Sequence, residues 1–200
     1  MRVIAGKFRG RPLQAPPGET TRPIPDRVKE SLFSILGHRF GSGGALPELD
    51  VLDLFAGSGA LGIESLSRGA RSCLFVESNR RALQVLRANL RALGLTPVAR
   101  VSVENAWTMR IPPAAGAGFG LVFVDPPYAD VKDPTRVLDL LERLTARVMS
   151  DGLLVLRHAA KTRFPKERLG GVTCCDERTF GTTRVLLLSP QVKREQSASE

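Results

Sequence analysis

Cysteine is scarce in this 200-residue chain, with three residues, Cys73, Cys174 and Cys175. An odd number with two of them adjacent argues against a disulfide framework, and no metal-type spacing links them. No run of about 18 apolar residues occurs, so no membrane-spanning helix is expected. The opening stretch MRVIAGKFRGRPLQ lacks the continuous apolar segment of a secretory signal. Internal repeats and low-complexity stretches are missing too. Together these absences predict a cytoplasmic protein with structural thiols, no membrane contact and a monomeric state. The two histidines, His38 in a loop and His158 at a strand end, have no nucleophile or metal-type partner nearby in sequence. No metal site is predicted.

Positive charge is what the chain has in excess, with 29 Lys and Arg against 20 Asp and Glu, a net +9. Part of it is local. Residues 1–30 hold Arg2, Lys7, Arg9, Arg11, Arg22, Arg27 and Lys29 against Glu19, Asp26 and Glu30, a net of +4. A basic surface draws polyanions before any specific contact forms. Nucleic acid is therefore the expected partner, with a merely solvated surface as the alternative.

Patterning divides the chain into a basic hairpin-like extension over 1–23, a main domain over 24–190 and a disordered tail over 191–200. The extension reads as too polar to bury, so it is expected to face outward. A helix is expected over Asp26–Leu36, with Val28, Leu32 and Ile35 as its stripe and Leu36 beside it. An alternating series follows. DVLDLF, SCLFVE, ARVSVEN, GLVFVD and GLLVLRH read as strands. GALGIESLSRG and NRRALQVLRANLRALG read as helices, the second with Leu83, Leu86, Leu90 and Leu93 on one face. DPTRVLDLLERLTARVM starts with Asp133 as N-cap and Pro134 at the first helical position, lined by Val137, Leu141, Leu144 and Val148. Two last strands meet at a turn over Phe180–Thr182. Near-continuous apolar strands alternating with helices predict an α/β fold, a mostly parallel sheet covered on both faces. The terminal strand pair should add an antiparallel edge.

The stretch GSGALG, Gly57 to Gly62, fits G-x-G-x-x-G between a strand and a helix. Glycines there admit a ligand close to backbone amides, and dinucleotide enzymes use the same device. Asp53 lies in the first strand and Glu77 ends the second, where a carboxylate can accept from both ribose hydroxyls. Asn105 ends the third strand and could meet an adenine edge, with Trp107 as packing or as the border of that pocket. An adenosyl ligand and NAD fit almost equally well up to this point.

The stretch LVFVDPPY, Leu121 to Tyr128, breaks the tie. An exocyclic base amine is a poor nucleophile because its lone pair is delocalised into the ring. Two acceptors aimed at its hydrogens localise that pair. The Asp125 carboxylate supplies one and the Pro126 carbonyl the other, with Pro126 and Pro127 fixing the backbone at low entropic cost. Tyr128 offers a face for the base to stack on. A methyl donor with a good leaving group completes the chemistry, and S-adenosyl-L-methionine is the obvious one.

With these residues in view, the chain resembles the bacterial ribosomal small-subunit methyltransferase D family. RVIAGKFRGRPL, TRPIPDRVKESLFSIL, VLDLFAGSGALGIESLSRGA, VESNRRALQVLRANL and LVFVDPPY fall in that family's order and spacing. The resemblance implies a Rossmann-like class I methyltransferase fold with a seven-stranded, mostly parallel sheet and an antiparallel edge strand. It implies transfer of methyl from S-adenosyl-L-methionine to guanine N2 in 16S ribosomal RNA, at guanine 966 in the family. The substrate would be that RNA or a small-subunit assembly particle. Asp53, Phe55, Ala56, Gly57, Gly59, Glu77, Ser78, Asn105 and Ala106 would hold the cofactor, and Asp125, Pro126, Pro127 and Tyr128 the amine. Arg2, Lys7, Arg9, Arg11, Arg22 and Arg27 would hold RNA. The chain departs from the family at Ile24 and Pro25, where small polar residues are usual, and at Asn105, where an acid is common. Competing readings are adenine-N6 methylation of DNA, glutamine-N5 methylation of a protein, a ribosome-assembly RNA-binding module, and an NAD oxidoreductase.

Overall fold

The computed structural model describes residues 1–16, 24–127, 130–132, 134–162, 164, 169 and 171–191. Four helices and seven strands follow in the order the patterning predicts. Helix α1 is Asp26–Arg39, β1 Asp50–Leu54, α2 Ala60–Ser67, β2 Ser72–Val76 and α3 Arg80–Ala92. Then come β3 Ala99–Ser102, β4 Phe119–Val124, a 3-10 turn at Asp130–Lys132, and α4 Pro134–Thr145. Strands β5 Val148–Ala159, β6 Val172–Phe180 and β7 Thr183–Pro190 complete the chain.

The strands form one sheet in the order β3-β2-β1-β4-β5-β7-β6. Pairings β1–β2, β1–β4, β2–β3 and β4–β5 are parallel. Strand β7 runs antiparallel to both β5 and β6. It is the expected antiparallel strand, and it lies one place in from the edge that β6 occupies. Strands β1 and β4 are buried along their whole length; β4 is an unbroken apolar run, and β1 carries two buried acids, Asp50 and Asp53, among its apolar residues. One core layer joins α1, α2 and α3 to one face, and the other sets α4 and Trp107 against the opposite face. The order reverses between β1 and β4, and open α/β sheets hold ligands in a crevice at the C-terminal strand ends of such a switch point.

Local caps match the sequence. The Asn79 side chain accepts from the N–H groups of Arg81 and Ala82 and starts α3. Leu83, Leu86, Leu90 and Leu93 are all buried. Two stripes are shifted from expectation. In α1 the buried face is Val28, Lys29, Leu32, Phe33 and Leu36, while Ile35 is half-buried. In α4 the stripe is Val137, Leu140, Leu141 and Leu144. Val148 belongs to β5 instead, where it pairs with Phe119 across a bulge. The helix therefore gives way to strand sooner than its apolar spacing suggests. Asp133, the expected cap, lies outside the described residues.

The largest correction concerns the extension. Over its described residues, 1–16, its backbone is docked rather than turned outward. Val3 and Leu13 are core residues, and Arg2 pairs with Pro12 in an isolated antiparallel bridge. The Ile4 and Ala5 N–H groups donate to the two oxygens of the fully buried Glu64 carboxylate, at 2.8 and 3.0 Å. The Lys7 N–H donates to the Ser67 carbonyl at 2.7 Å, and the Phe8 N–H to the Ser67 hydroxyl at 3.0 Å. Gly6 rides so close to the end of α2 that a Cβ there would sit 1.8 Å from the Ser67 oxygen. The polar residues expected to force exposure are thus the surface layer of a segment whose backbone is satisfied inside. Gln191, assigned to the tail, donates its N–H to Gly171; residues 192–200 lie outside the described set. Among the described residues no helix is long and apolar enough to cross a membrane.

Candidate active site

The crevice is built from the loop after β1. Phe55 has φ +60°, costly for a residue with a Cβ, and Gly57 and Gly59 follow at +56° and +82°. The Ala56 N–H donates to the Val76 carbonyl, which ties the loop to β2. A Cβ on Gly59 would collide with Leu86 Cδ1 at 2.5 Å, and one on Gly62 with the Phe75 ring at 2.3 Å. Those two glycines let α2 and its loop pack onto the sheet, whereas Gly57 faces open space. The loop's dihedrals and its packing both demand the glycine spacing read from the sequence.

Three carboxylates surround this loop. Glu77, at the end of β2, accepts from the Gly57 N–H through Oε2 at 2.8 Å. Its Oε1 accepts from the Ser78 and Asn79 N–H groups at 2.8 and 2.7 Å. Asp53 is buried within β1 and accepts from the Gly62 N–H at 2.9 Å. Burial pushes its carboxyl well above the usual range, the Gly62 bond opposes this, and the charges of Asp125 and Glu77 push it further up. The strand register, which pairs Leu54 with both Val76 and Val124, sets Glu77 and Asp125 one step past the ends of β2 and β4, on either side of Phe55.

Asp125 follows β4 and keeps a side-chain exposure of 16%, with Oδ1 accepting from Arg157 Nε at 2.6 Å. Pro126 is buried and Pro127 exposed. The Pro127 carbonyl accepts from the Asp130 N–H. Among the described residues no backbone N–H donates to the Pro126 carbonyl. Tyr128 and Arg22 lie outside the described residues.

The turn after β3 is organised around Trp107. Asn105 is exposed, and its Oδ1 accepts from the Trp107 N–H at 3.0 Å, a turn-capping bond. Ala106 is buried. The Trp107 indole donates to Asp130 Oδ2 at 3.2 Å, packs 4.8 Å from Phe55, and lies under the Arg136 guanidinium at 4.5 Å. Arg143 donates to the carbonyls of Trp107 and Met109. Trp107 is thus a wedge between the glycine loop and α4.

Of the predicted RNA contacts, Arg2, Lys7, Arg9, Arg11 and Arg27 have exposed side chains. Arg2 pairs with Asp26 at 3.3 Å and Arg11 donates to the Ala92 carbonyl. Ile24 is a core residue, and Pro25 precedes α1 with its carbonyl accepting from Val28 and Lys29, so both departures serve packing and helix initiation.

The model of the family described as conserved hypothetical protein 95 matches residues 1–189. The chain belongs to the ribosomal small-subunit methyltransferase D family. "Putative rRNA methyltransferase YlbH" of Bacillus subtilis is 38% identical over 188 residues, 94% of this chain and 97% of that protein. The Escherichia coli protein named ribosomal RNA small subunit methyltransferase D is 38% identical over 128 residues, 64% of this chain and 60% of its own. A solved Escherichia coli structure titled "Putative methyltransferase yhhF" superposes with a TM-score of 0.77 at 31% identity, covering 96% of this chain and 98% of that one. The fold of this family member is therefore the Rossmann-like class I methyltransferase fold that the resemblance implied.

Arg157, the Asp130–Trp107–Arg136 stack and the Lys29–Glu64 pair are absent from the sequence-based site. Arg157 interrupts an apolar strand two residues before the strand ends, and that was the available signal.

Proposed function

We propose that this chain transfers a methyl group from S-adenosyl-L-methionine to N2 of a guanine in small-subunit ribosomal RNA, guanine 966 in the family. The carrying observation is that Glu77 and Asp125 stand one step past the ends of β2 and β4, on either side of Phe55, with Asp53 buried in β1 beneath the glycine loop. A sulfonium is a cation, and a cation near these groups offsets the repulsion that Asp125 and Glu77 add to burial in raising Asp53. The pyrophosphate of a dinucleotide would add to that repulsion. The donor set thus fits S-adenosyl-L-methionine better than NAD. The relatives' names, a "putative rRNA methyltransferase" in Bacillus subtilis and a ribosomal RNA small subunit methyltransferase in Escherichia coli, support RNA over DNA or protein as the acceptor.

When bound, the cofactor supplies an electrophilic methyl group on sulfur. Glu77 receives the ribose hydroxyls on lone pairs that its backbone donors leave available. Phe55, Ala56, Gly57 and Gly59 would form the loop that holds the cofactor, and Ser78, Asn105 and Ala106 would border its adenine. Asp125 Oδ2 accepts one hydrogen of the guanine amine and the Pro126 carbonyl accepts the other. Pro127 restricts the backbone of Pro126 and so fixes the direction of that carbonyl. Tyr128 is assigned the stacking face, worth about 1–3 kcal/mol. Residues 1–23 form the RNA-facing arm and 24–190 carry the chemistry. A stacked guanine cannot reach this corner, so the target is a looped-out or flipped nucleotide.

The test is tritium transfer from labelled cofactor to small-subunit RNA, with nucleoside analysis of the product. Wild-type protein yields N2-methylguanosine, and Asp125→Ala lowers the rate about 100-fold or more. Undiminished transfer by Asp125→Ala, methyladenine in DNA as the product, or RNA binding without transfer refutes the proposal.

A further inference from the structure

We infer that Arg157 is a positioning residue for this methyl transfer. Its guanidinium holds the Asp125 carboxylate in the orientation that presents Oδ2 to the target amine. The inference rests on the proposed reaction and deepens it. The register of β4 on β5 pairs Val124 with Leu156, so Asp125 and Arg157 occupy the next step at the crevice. Both side chains are mostly buried, at 16% and 11% exposure, and the Nε–Oδ1 distance of 2.6 Å is that of a strong charge-assisted bond.

Stability does not explain the pair. A buried ion pair is on average no more stabilising than apolar residues of similar size. Arg157 follows Leu153, Leu154, Val155 and Leu156, where another apolar residue would extend the core. No other described residue hydrogen-bonds the Asp125 carboxylate, so Arg157 sets its rotamer. The chemistry needs that anchor. An unanchored carboxylate beside a cationic donor turns toward the cation. Held by Arg157 through Oδ1, it points Oδ2 at the amine instead.

The same geometry defines the role of Asp125 in the step. The amine lone pair forms the N–CH3 bond while the C–S bond breaks, and its electron pair goes to sulfur. The resulting cationic amine then releases one N–H proton. With its charge engaged by Arg157, Asp125 orients the amine, and the proton leaves to solvent.

The test compares Arg157→Met, Arg157→Lys, Asp125→Asn and the double variant Asp125→Asn/Arg157→Met. It measures single-turnover methyl transfer, cofactor affinity through the fluorescence of the single tryptophan, Trp107, and thermal melting. Arg157→Met lowers the transfer rate about 10- to 100-fold, the scale of a misplaced reacting group, with cofactor affinity unchanged. Arg157→Lys restores part of the rate. On the Asp125→Asn background the Arg157→Met change has no further effect, because the group it positions is gone. The double variant removes both charges, so it folds even where Arg157→Met alone strands a buried carboxylate. A full rate for Arg157→Met, or an equal loss on both backgrounds, overturns the inference. Wild-type protein that fails to methylate RNA instead sinks the proposed function. Active wild type, inactive Asp125→Ala and fully active Arg157→Met sink the positioning role alone.

Discussion

Replacing Glu64 by alanine removes the acceptor on which three elements converge. Glu64 is fully buried in α2 and receives the Ile4 and Ala5 N–H groups of the arm. It also receives Arg68 Nε at 2.8 Å and faces Lys29 Nζ of α1 at 3.3 Å. Lys29 is itself fully buried and donates to the Arg2 carbonyl at 2.6 Å. Burial pushes the Lys29 ammonium down from its usual range and Glu64 pulls it back up. Breaking a buried pair from one side costs about 3–5 kcal/mol, because the remaining charge stays buried. The two arm N–H groups add less than their full desolvation cost, since the arm can lift and reach water. For a chain of 200 residues, 1 kcal/mol corresponds to about 2–4 °C in Tm. The expected fall is therefore about 6–20 °C. Calorimetry measures it, and limited proteolysis reports the arm, whose cleavage accelerates. The deficit shrinks as pH approaches 10.5, because the folded-state Lys29 pKa lies below the unfolded value and the ammonium loses its buried charge first in the folded state. Glu64→Gln keeps one carbonyl acceptor but turns an NH2 toward other donors, so it falls between alanine and wild type. A Tm within about 2 °C of wild type, with the arm still protected, refutes the reasoning.

Two further outcomes follow from charge and burial. Changing Lys7, Arg9 and Arg11 to alanine flattens the salt dependence of RNA affinity by about 0.7–0.9 unit of slope per lost phosphate contact. Arg11 contributes least, because it already donates to the Ala92 carbonyl; an unchanged slope in filter binding at graded salt places the RNA elsewhere. His158 is buried, with Nδ1 against the Ala159 carbonyl and the ring edge-on to Phe164. Burial and the Arg184 charge hold it below its ordinary 6.5, against the opposing Ala159 bond and Glu177. The unfolded chain therefore takes up a proton that the folded one refuses, and stability falls as pH drops below 6.5, by at most about 1.4 kcal/mol per unit. Urea denaturation between pH 7.5 and 5.5 should lose this slope in His158→Phe, and identical slopes refute the assignment.

The parts of the fold legible in the sequence are those where one force dominates. Strands β1 and β4 are buried on both faces, so their apolar runs could serve no other end. Helix α3 buries one stripe and closes with caps whose chemistry is local. The candidate site was legible as a cluster because strand ends, glycines and acids lie close together in sequence. What escaped was long-range pairing of charge. Lys29 and Glu64 are 35 positions apart and read as surface residues, yet each satisfies the other inside. Arg157 and Asp125 are separated by a helix and meet only through the β4–β5 register. The α1 stripe was misplaced for the same reason, because the true face includes the buried Lys29 that hydropathy scores as exposed.

The docking of the arm explains why its receptor is polar. Among the described residues the arm forms no strand ladder beyond the Arg2–Pro12 bridge; the Val3, Arg9, Gly10, Arg11 and Leu13 N–H groups find carbonyls within the arm, and those of Ile4, Ala5, Lys7, Phe8 and Gln14 need acceptors from elsewhere. Glu64 and Ser67 supply them on α2, and Asn89 supplies them on α3. Asn89 is buried and makes three bonds. It accepts from the Gln14 N–H at 2.9 Å and donates to the Gln14 carbonyl at 3.1 Å and the Ser58 carbonyl at 3.0 Å. Ser58 stands between Gly57 and Gly59 of the loop after β1, and its hydroxyl faces Met1 sulfur. An apolar surface could not satisfy this backbone, and an exposed one would not hold it in a fixed place. Buried side chains of α2 and α3 therefore anchor the basic arm, and one of them also anchors the glycine loop. The segment that looked like an appendage is fastened to the same scaffold that shapes the crevice.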